Sequence, residues 1–504
     1  MLFQTTSLSE AQTQSGWFLP LMALLLCAHL FVGPIQNLAL FYDEAYYRFW
    51  SLTPDWGYYS KPPMVAWLIA TTTNIGGNNE WMIRISSPLL YAGAAGFIYL
   101  IAQSLYKNDA IAKAASLIFF SSPIVTFNSL FITTDAPLLF FWSAGIYCFV
   151  KATDTDYRND STKVRRWWFA FGICIGLGLL SKYTMAVLPG SLGLFMLSQA
   201  RYRNRQCVTG VLMSLFVALL LFSPNLWWNY QHDFISFQHT SEISKLQQKL
   251  FHPDKFAEFF GSQFFTFGPP ALALLLYLSA TYFKDRGKKD CHTALLIWTA
   301  LPMLIIICIQ ALLAKANMNW AAPAYISASI LVAVWVIQNR KPGWLKGIVI
   351  INLVLASAFY TWPQLQKITG IQPSTRNTPY HRVSGWRELA LQVPSLSVNE
   401  AYLSNSRAVL SYLSYYAKNN HDAPALMAFN PDGHIDDHFD LMHSLSETNQ
   451  ASGYLFVTEK PMDLTRCFQS IKTLPPITQQ VYPSLTRTWY LYKLSGFNGY
   501  ENCN

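Results

Sequence analysis

Residues 41–67 read FYDEAYYRFWSLTPDWGYYSKPPMVAW, and the placement of this stretch decides the topology of the chain. It is the first polar sequence after the apolar run 17–40. The pair Asp43 and Glu44 stands upstream of Lys61, which is followed by Pro62 and Pro63, with aromatic residues between. Residues 41–61 are too polar and aromatic to cross a bilayer. Residues 62–75 are apolar but only about 14 residues long, against the ~20 that a spanning helix needs, and they begin with Pro-Pro. The expectation is a helix lying in the membrane interface.

Outward from this stretch, the composition is that of a membrane protein. The 504 residues are 52% hydrophobic and 12% charged, about half the charged share of a soluble domain. That leaves too few charges to cover a large soluble core. The net charge of +9 does not imply a nucleic-acid partner, because the basic residues fall in short clusters between apolar runs. Residues 1–16 have no basic segment and no small-residue cleavage site, so the run after them is expected to remain as the first span. Further spans are expected at about 84–106, 110–127, 131–151, 167–181, 183–199, 207–224, 267–283, 292–313, 319–338 and 344–360, giving about eleven crossings.

The loops provide a separate check. Alternate loops contain Lys107; Lys151, Arg158, Lys163, Arg165 and Arg166; Arg201, Arg203 and Arg205; Lys284, Arg286, Lys288 and Lys289; and Arg340, Lys341 and Lys346. The positive-inside rule assigns these loops to the cytoplasm. Counting 62–75 as a crossing would destroy the alternation. Residues 1–360 are therefore read as a transmembrane domain with external loops at 41–83 and 225–266. Residues 361–504 are read as a small external α/β domain, with helices at 384–393 and near 405–418 and strands at 453–458 and 488–494. The eight cysteines form no CxxC pair. Cys467 and Cys503 lie in the polar C-terminal part, where an oxidising compartment would permit a disulfide.

Sorting the polar groups by side places Asp43, Glu44, Lys61, Asp135 and Lys182 at the external ends of spans. Ionisable groups near membrane depth are costly and mark functional cavities. Each also has a structural reading. Asp43 and Glu44, or Asp135, could cap a helix, and Lys182 could reach to the interface. Taken together they suit a charged pocket, in which a carboxylate acts as base on an acceptor hydroxyl and cations stabilise a departing phosphate oxyanion. Tyr46, Tyr47, Trp50, Trp56, Tyr58 and Tyr59 would stack on sugar faces or anchor the segment at lipid headgroups.

YDEAYYRFWS and DWGYYSKPPMVAWLI resemble the first external loop of bacterial GT-C-fold glycosyltransferases related to the protein O-mannosyltransferases, a superfamily that includes the lipid A aminoarabinose transferases. The resemblance continues through RISSPLLY, TTDAPLLFFW, GLGLLSKYT, NLWWNYQHDF, KANMNWAAPAY, GWRELA and SRAVLSYLSYY. It implies a multi-pass protein of the bacterial inner membrane, with its N-terminus cytoplasmic and its C-terminal domain periplasmic. It implies transfer of a single sugar from an undecaprenyl-phosphate-linked donor to lipid A, lipopolysaccharide core or a protein. Asp43 matches the family's catalytic-loop aspartate and Asp135 a second acid. Lys61 and Lys182 match lysines associated with the donor phosphate, and Arg84 stands where the family has an arginine. Glu44 and Tyr59 are candidate substrate contacts. The chain has Ala45-Tyr46 where the aminoarabinose branch has a polar residue and then arginine, so that particular sugar is not implied. No metal or other cofactor is expected, although some relatives use a divalent cation and the acids offer oxygen ligands. A transporter or flippase of lipid-linked sugars is the contrasting reading; no internal repeat supports it.

Overall fold

The computed structural model describes residues 16–154, 160–243, 251–284, 290–397, 400–417 and 425–503. Residues 1–15, Arg158, Arg286, Lys288 and Lys289 of the basic loops, and 244–250 lie outside the described residues. The chain divides into two compact units. One comprises Met1–Ile35, Arg84–Trp227 and Ser241–Tyr360, the other Gln36–Ile83, Trp228–Thr240 and Thr361–Asn504.

The first unit is helical. Its apolar runs fold as helices because a bilayer offers no partner to an open backbone amide or carbonyl. Polar residues mark where several begin. Asp160 accepts from the amide of Lys163 at 3.0 Å, Asp290 from Thr293 at 3.0 Å, and Asn108 from Ile111 at 3.1 Å, each a side-chain N-cap. Small residues let helices approach closely. A Cβ on Gly172 would lie 2.6 Å from the Ser214 carbonyl, and one on Gly176 would lie 2.8 Å from Leu221 Cβ. Ser161–Ser181 thus packs backbone to backbone on Arg205–Gln231.

Among the described residues, six helices are long and apolar enough to cross a membrane: Phe18–Ile35, Glu80–Tyr106, Ser161–Ser181, Arg205–Gln231, Cys291–Leu313 and Pro342–Tyr360. Pro253–Phe267 and Pro269–Lys284 add a seventh if the pair counts as one span, bent by 112°. The expected count of about eleven is not reached by long helices alone. Every expected span is helical, but several helices fall short of the ~20 residues needed to cross unaided. Asp109–Phe120 has 12 residues, Val187–Ser198 has 12 and Ala324–Gln338 has 15. Residues 62–75 form the 13-residue helix Met64–Gly76, also outside the long set. In the region 225–266, the helical character expected of PDKFAEFFGSQ is present as Pro253–Phe267, and that expected of SEISKLQQKL falls mostly outside the described residues. The helix Arg205–Gln231 runs into this region from one side and Pro253–Phe267 begins the next bent pair.

The second unit gathers 36–83 and 228–240 around a five-stranded sheet of order β2-β1-β3-β5-β4. The strands are β1 (Ala401–Ser404), β2 (Leu426–Ala428), β3 (Tyr454–Thr458), β4 (Phe468–Tyr482) and β5 (Leu485–Phe497). β1 is parallel to β2 and β3, while β5 is antiparallel to β3 and β4. The expected strands at 453–458 and 488–494 are β3 and part of β5. β4 escaped the sequence reading because Pro475 and Pro476 interrupt it, and the register shifts between Leu474 and Ile477. Proline is tolerated there because β4 is an edge strand. The helix expected at 384–393 is shorter, Trp386–Ala390 followed by a 3-10 turn Val393–Leu396, and the one near 405–418 is Arg407–Tyr416. Cys467 and Cys503 are joined in a disulfide.

The bend at Gly268 tests the packing of the first unit. Gly268 has φ +93°, where only glycine sits without strain, and an added Cβ would run into Asn352 Oδ1. Gly268→Ala should destabilise by about 1–3 kcal/mol. Gly261→Ala, where a Cβ meets nothing within 4 Å, should be neutral or slightly stabilising. Denaturant titration of both variants in detergent reads the difference.

Candidate active site

In the second unit the helix Tyr42–Trp50 carries Asp43 and Glu44 in its first turn, where the exposed amides and the helix dipole favour negative charge. The two acids do different work. Glu44 is buried and its Oε2 accepts the Phe41 amide at 2.9 Å, so the capping role belongs to it. Asp43 instead faces Arg407, whose guanidinium lies 3.5 Å from Asp43 Oδ1. Arg407 is the first residue of the helix Arg407–Tyr416, with Ser406 as its N-cap. Its guanidinium also lies over the rings of Tyr42 and Tyr46, at 5.1 and 5.3 Å. Burial pushes the Asp43 carboxyl above its ordinary value, Arg407 and then Lys61 pull it back, and Glu44 adds to the rise. A carboxylate so balanced is a stronger base than a free aspartate while keeping cations beside it.

The turn leading to Lys61 is tied down at several points. Tyr58 stacks on Trp50 with centroids 4.5 Å apart, and its amide donates to the Lys61 carbonyl at 3.2 Å. Ser236 Oγ donates to the Tyr58 carbonyl at 2.7 Å, and Trp228 Nε1 to Asp55 Oδ2 at 2.7 Å. Tyr46, Tyr47, Trp50, Tyr58 and Tyr59 are all buried, Tyr59 against the ring of His239 at 4.8 Å. Of the six aromatics expected to meet sugars or headgroups, Trp56 alone is exposed, at 46%. The others form the core on which this unit is built.

In the first unit Asp135 opens the helix Asp135–Ala152 and is buried. Lys182 Nζ lies 2.6 Å from its Oδ1, and the Asn319 side-chain amide donates to its Oδ2. Asp135 is therefore an ion-paired group, and Lys182 is held by it. Asn319 sits in the 3-10 turn Met318–Ala321, where the Met318 carbonyl accepts from Gln263 Nε2 at 3.3 Å. Gln263 Oε1 in turn accepts from the Tyr325 hydroxyl at 2.5 Å. Arg84 is buried with its guanidinium 5.6 Å from the centroid of Phe131.

The structure thus joins Asp135 with Lys182 in one unit, and sets Asp43 against Arg407 with Lys61 acting on it in the other. Arg407 and Asn319 had no assigned role in the sequence reading. They stand in SRAVLSYLSYY and KANMNWAAPAY, but an arginine after a serine cap and an asparagine in a turn look ordinary until their partners are known. Among the described residues, no three His, Cys, Asp or Glu side chains are grouped to hold a metal ion. His232 stacks on Trp228 at 4.0 Å, its Nδ1 2.8 Å from the Trp228 carbonyl.

Comparison with known proteins places these residues in context. Residues 60–228 match the family described as dolichyl-phosphate-mannose-protein mannosyltransferase. The chain is 34% identical over 322 residues to the lipid A galacturonosyltransferase RgtD of Rhizobium johnstonii, covering 63% of this chain and 65% of that one. It is 21% identical over 293 residues to the undecaprenyl phosphate-alpha-4-amino-4-deoxy-L-arabinose arabinosyl transferase of Pectobacterium atrosepticum, covering 56% and 50%. The chain therefore spans less than two thirds of the length of either relative. The crystal structure of ArnT from Cupriavidus metallidurans bound to undecaprenyl phosphate superposes with a TM-score of 0.67 at 15% identity, over 95% of this chain and 98% of that one. At that identity the likeness is one of fold.

His438 provides a pH test of the second unit. Its amide donates to the Tyr46 hydroxyl at 2.5 Å, and its ring lies edge-on to Trp50 and Tyr58. Burial, then the charges of His443 and His232, lower its pKa to about 3. The folded state holds the ring neutral, so its contribution is present above pH 6.5 and is lost as pH falls toward 3. Asp440, raised to about 6 by burial and then by Asp437, acts in the opposite sense. The readout is therefore the difference between the protein and His438→Gln. From pH 7 to pH 5 the protein should lose about 2 kcal/mol more than the variant, measured by urea titration followed by tryptophan fluorescence.

Proposed function

We propose that this chain, which has the GT-C fold, transfers a single sugar from an undecaprenyl-phosphate-linked donor to lipid A or lipopolysaccharide core. The observation that carries the reading is the Asp43–Arg407 pair, a half-buried carboxylate poised by cations at the head of a helix. It occurs in a chain 34% identical over most of its length to a lipid A galacturonosyltransferase. The basic loops support an orientation with the N-terminus in the cytoplasm and residues 361–504 in the periplasm.

The acceptor oxygen attacks the anomeric carbon as the bond to the carrier phosphate breaks. A single displacement from one face inverts that centre, as in inverting glycosidases. Asp43 takes the proton when the acceptor is a hydroxyl, and orients the acceptor when it is an ionised phosphate. Lys61 and Lys182 neutralise charge gathering on the departing phosphate, with Arg84 contributing. Asp135, already bound to Lys182 and Asn319, fixes that lysine rather than acting on the acceptor. Glu44 supports the site as the cap of the Asp43 helix, and Glu44 and Tyr59 are the proposed substrate contacts. A protein acceptor is the second reading, favoured by the match of residues 60–228 to the protein mannosyltransferase family.

Mass spectrometry of lipid A, core oligosaccharide and envelope proteins, with and without the gene, should show one sugar residue gained on lipid A or core. A gain on protein alone selects the second reading, and no gain on any class overturns both. Asp43→Asn should reduce transfer at least 100-fold, the range for losing a general base, with folding and insertion intact; a variant that keeps its activity removes Asp43 from the reaction. Lys61→Ala should raise the KM for the donor about tenfold, worth ~1.4 kcal/mol, and leave that for the acceptor within twofold. Equal changes in both constants would count against a phosphate role.

A further inference from the structure

Within the second unit, GWRELA and SRAVLSYLSYY meet the first loop at a point the reaction does not use. Arg387 Nη2 donates to both oxygens of Glu80, at 2.8 and 2.6 Å, and Nη1 donates to Asn37 Oδ1 at 2.8 Å. The Tyr416 hydroxyl donates to Glu80 Oε1 at 2.6 Å and accepts the Leu40 amide at 2.8 Å. The Glu80 and Arg387 side chains are 22% and 15% exposed. Burial, and then the charge of Glu80, push the Tyr416 hydroxyl above its ordinary value, so it stays a donor.

The geometry ties this network to the pair at Asp43. Tyr416 is the last residue of a ten-residue helix whose first is Arg407, a rigid rod about 15 Å long. Leu40 lies two residues before the helix that carries Asp43. The helix Arg407–Tyr416 packs along Tyr42–Trp50. The Arg407 helix is thus tied at both of its ends to the segment 40–43, by the Asp43–Arg407 pair at its first residue and by the bond from Leu40 to Tyr416 at its last. Sliding either helix by one residue would move its end by about 1.5 Å, enough to break an ion pair already at 3.5 Å.

We propose that Glu80, Arg387 and Tyr416 are positioning residues that lock the register of the Arg407 helix on the Asp43 helix and so hold Arg407 against the reacting carboxylate. A guanidinium suits this role because its rigid planar fork sets Nη2 on Glu80 and Nη1 on Asn37 at once, fixing direction as well as distance, which a lysine at Arg387 would not. The inference rests on the reading that Asp43 acts in sugar transfer.

Tyr416→Phe removes one hydroxyl and keeps the ring; Arg387→Lys keeps the charge and loses the fork. The readout is the pH dependence of kcat/KM in detergent, with the donor sugar and acceptor that mass spectrometry identifies. The groups facing Asp43 are Arg407, Lys61, Glu44 and Tyr42, with Tyr46 on its own helix and Tyr412 on the Arg407 helix. When Arg407 withdraws, the carboxylate loses its principal cation and the acid limb moves to higher pH. Tyr416→Phe should shift that limb upward by about half a unit to one unit and lower kcat at pH 7 about tenfold, with the donor KM within twofold. Arg387→Lys should behave alike. Activity falling only in proportion to folded protein, with the limb in place, overturns the proposal. Hydrogen exchange gives a reading free of activity: both variants should speed exchange at least tenfold in 42–50 and 407–416, and unchanged protection there also overturns it. Should Asp43→Asn retain full transfer, the reading of Asp43 fails, and the exchange measurement still decides whether these residues lock the two helices.

Discussion

A charge taken out of water must meet an opposite charge or a set of dipoles, or the fold does not form. This chain has few charges for its size, and several of its buried and half-buried acids, among the described residues, are held by named partners. Asp135 is held between Lys182 and Asn319, Asp43 faces Arg407, Glu80 is clasped by Arg387 and Tyr416, and Glu44 takes up a helix amide. Each pairing joins segments distant in sequence or closes a helix end. The polar groups thereby decide which elements meet, while the apolar ones supply the general adhesion.

The two acids of the first loop illustrate how neighbours in sequence are given different chemistry. Glu44 accepts a backbone amide at the start of its helix. Asp43, one residue earlier, turns toward a guanidinium and is left basic by burial. The aromatics around them, which resemble sugar platforms on paper, pack on one another. Their burial stiffens the helix and turn that carry Asp43 and Lys61.

The fold class was legible because a bilayer imposes a simple rule: runs of apolar residues become helices, and the basic loops between them collect on one face. The helices of the first unit appear where the apolar runs stand. The count of long spans did not follow, because 12-residue helices such as Asp109–Phe120 and Val187–Ser198 look like parts of longer runs when only hydropathy is read. The C-terminal sheet was half visible. β3 is fully buried and reads as a strand, whereas β4 is an exposed edge with two prolines and no alternation.

The sequence by itself determined that Asp43, Lys61, Asp135 and Lys182 are unusual, since ionisable residues beside apolar runs stand out against a composition with 12% charge. Only the tertiary structure decided their partners. Arg407 lies 364 positions from Asp43 and Asn319 lies 184 positions from Asp135, and nothing local marks either one. Chemical type and hydropathy are properties of single residues and short windows, so a sequence displays them directly. An ion pair depends on distance in space, and that distance is set by how helices pack and where strands cross. Glu80, Arg387 and Tyr416 are the clearest case: three ordinary residues in three separate segments, given a common purpose by the fold.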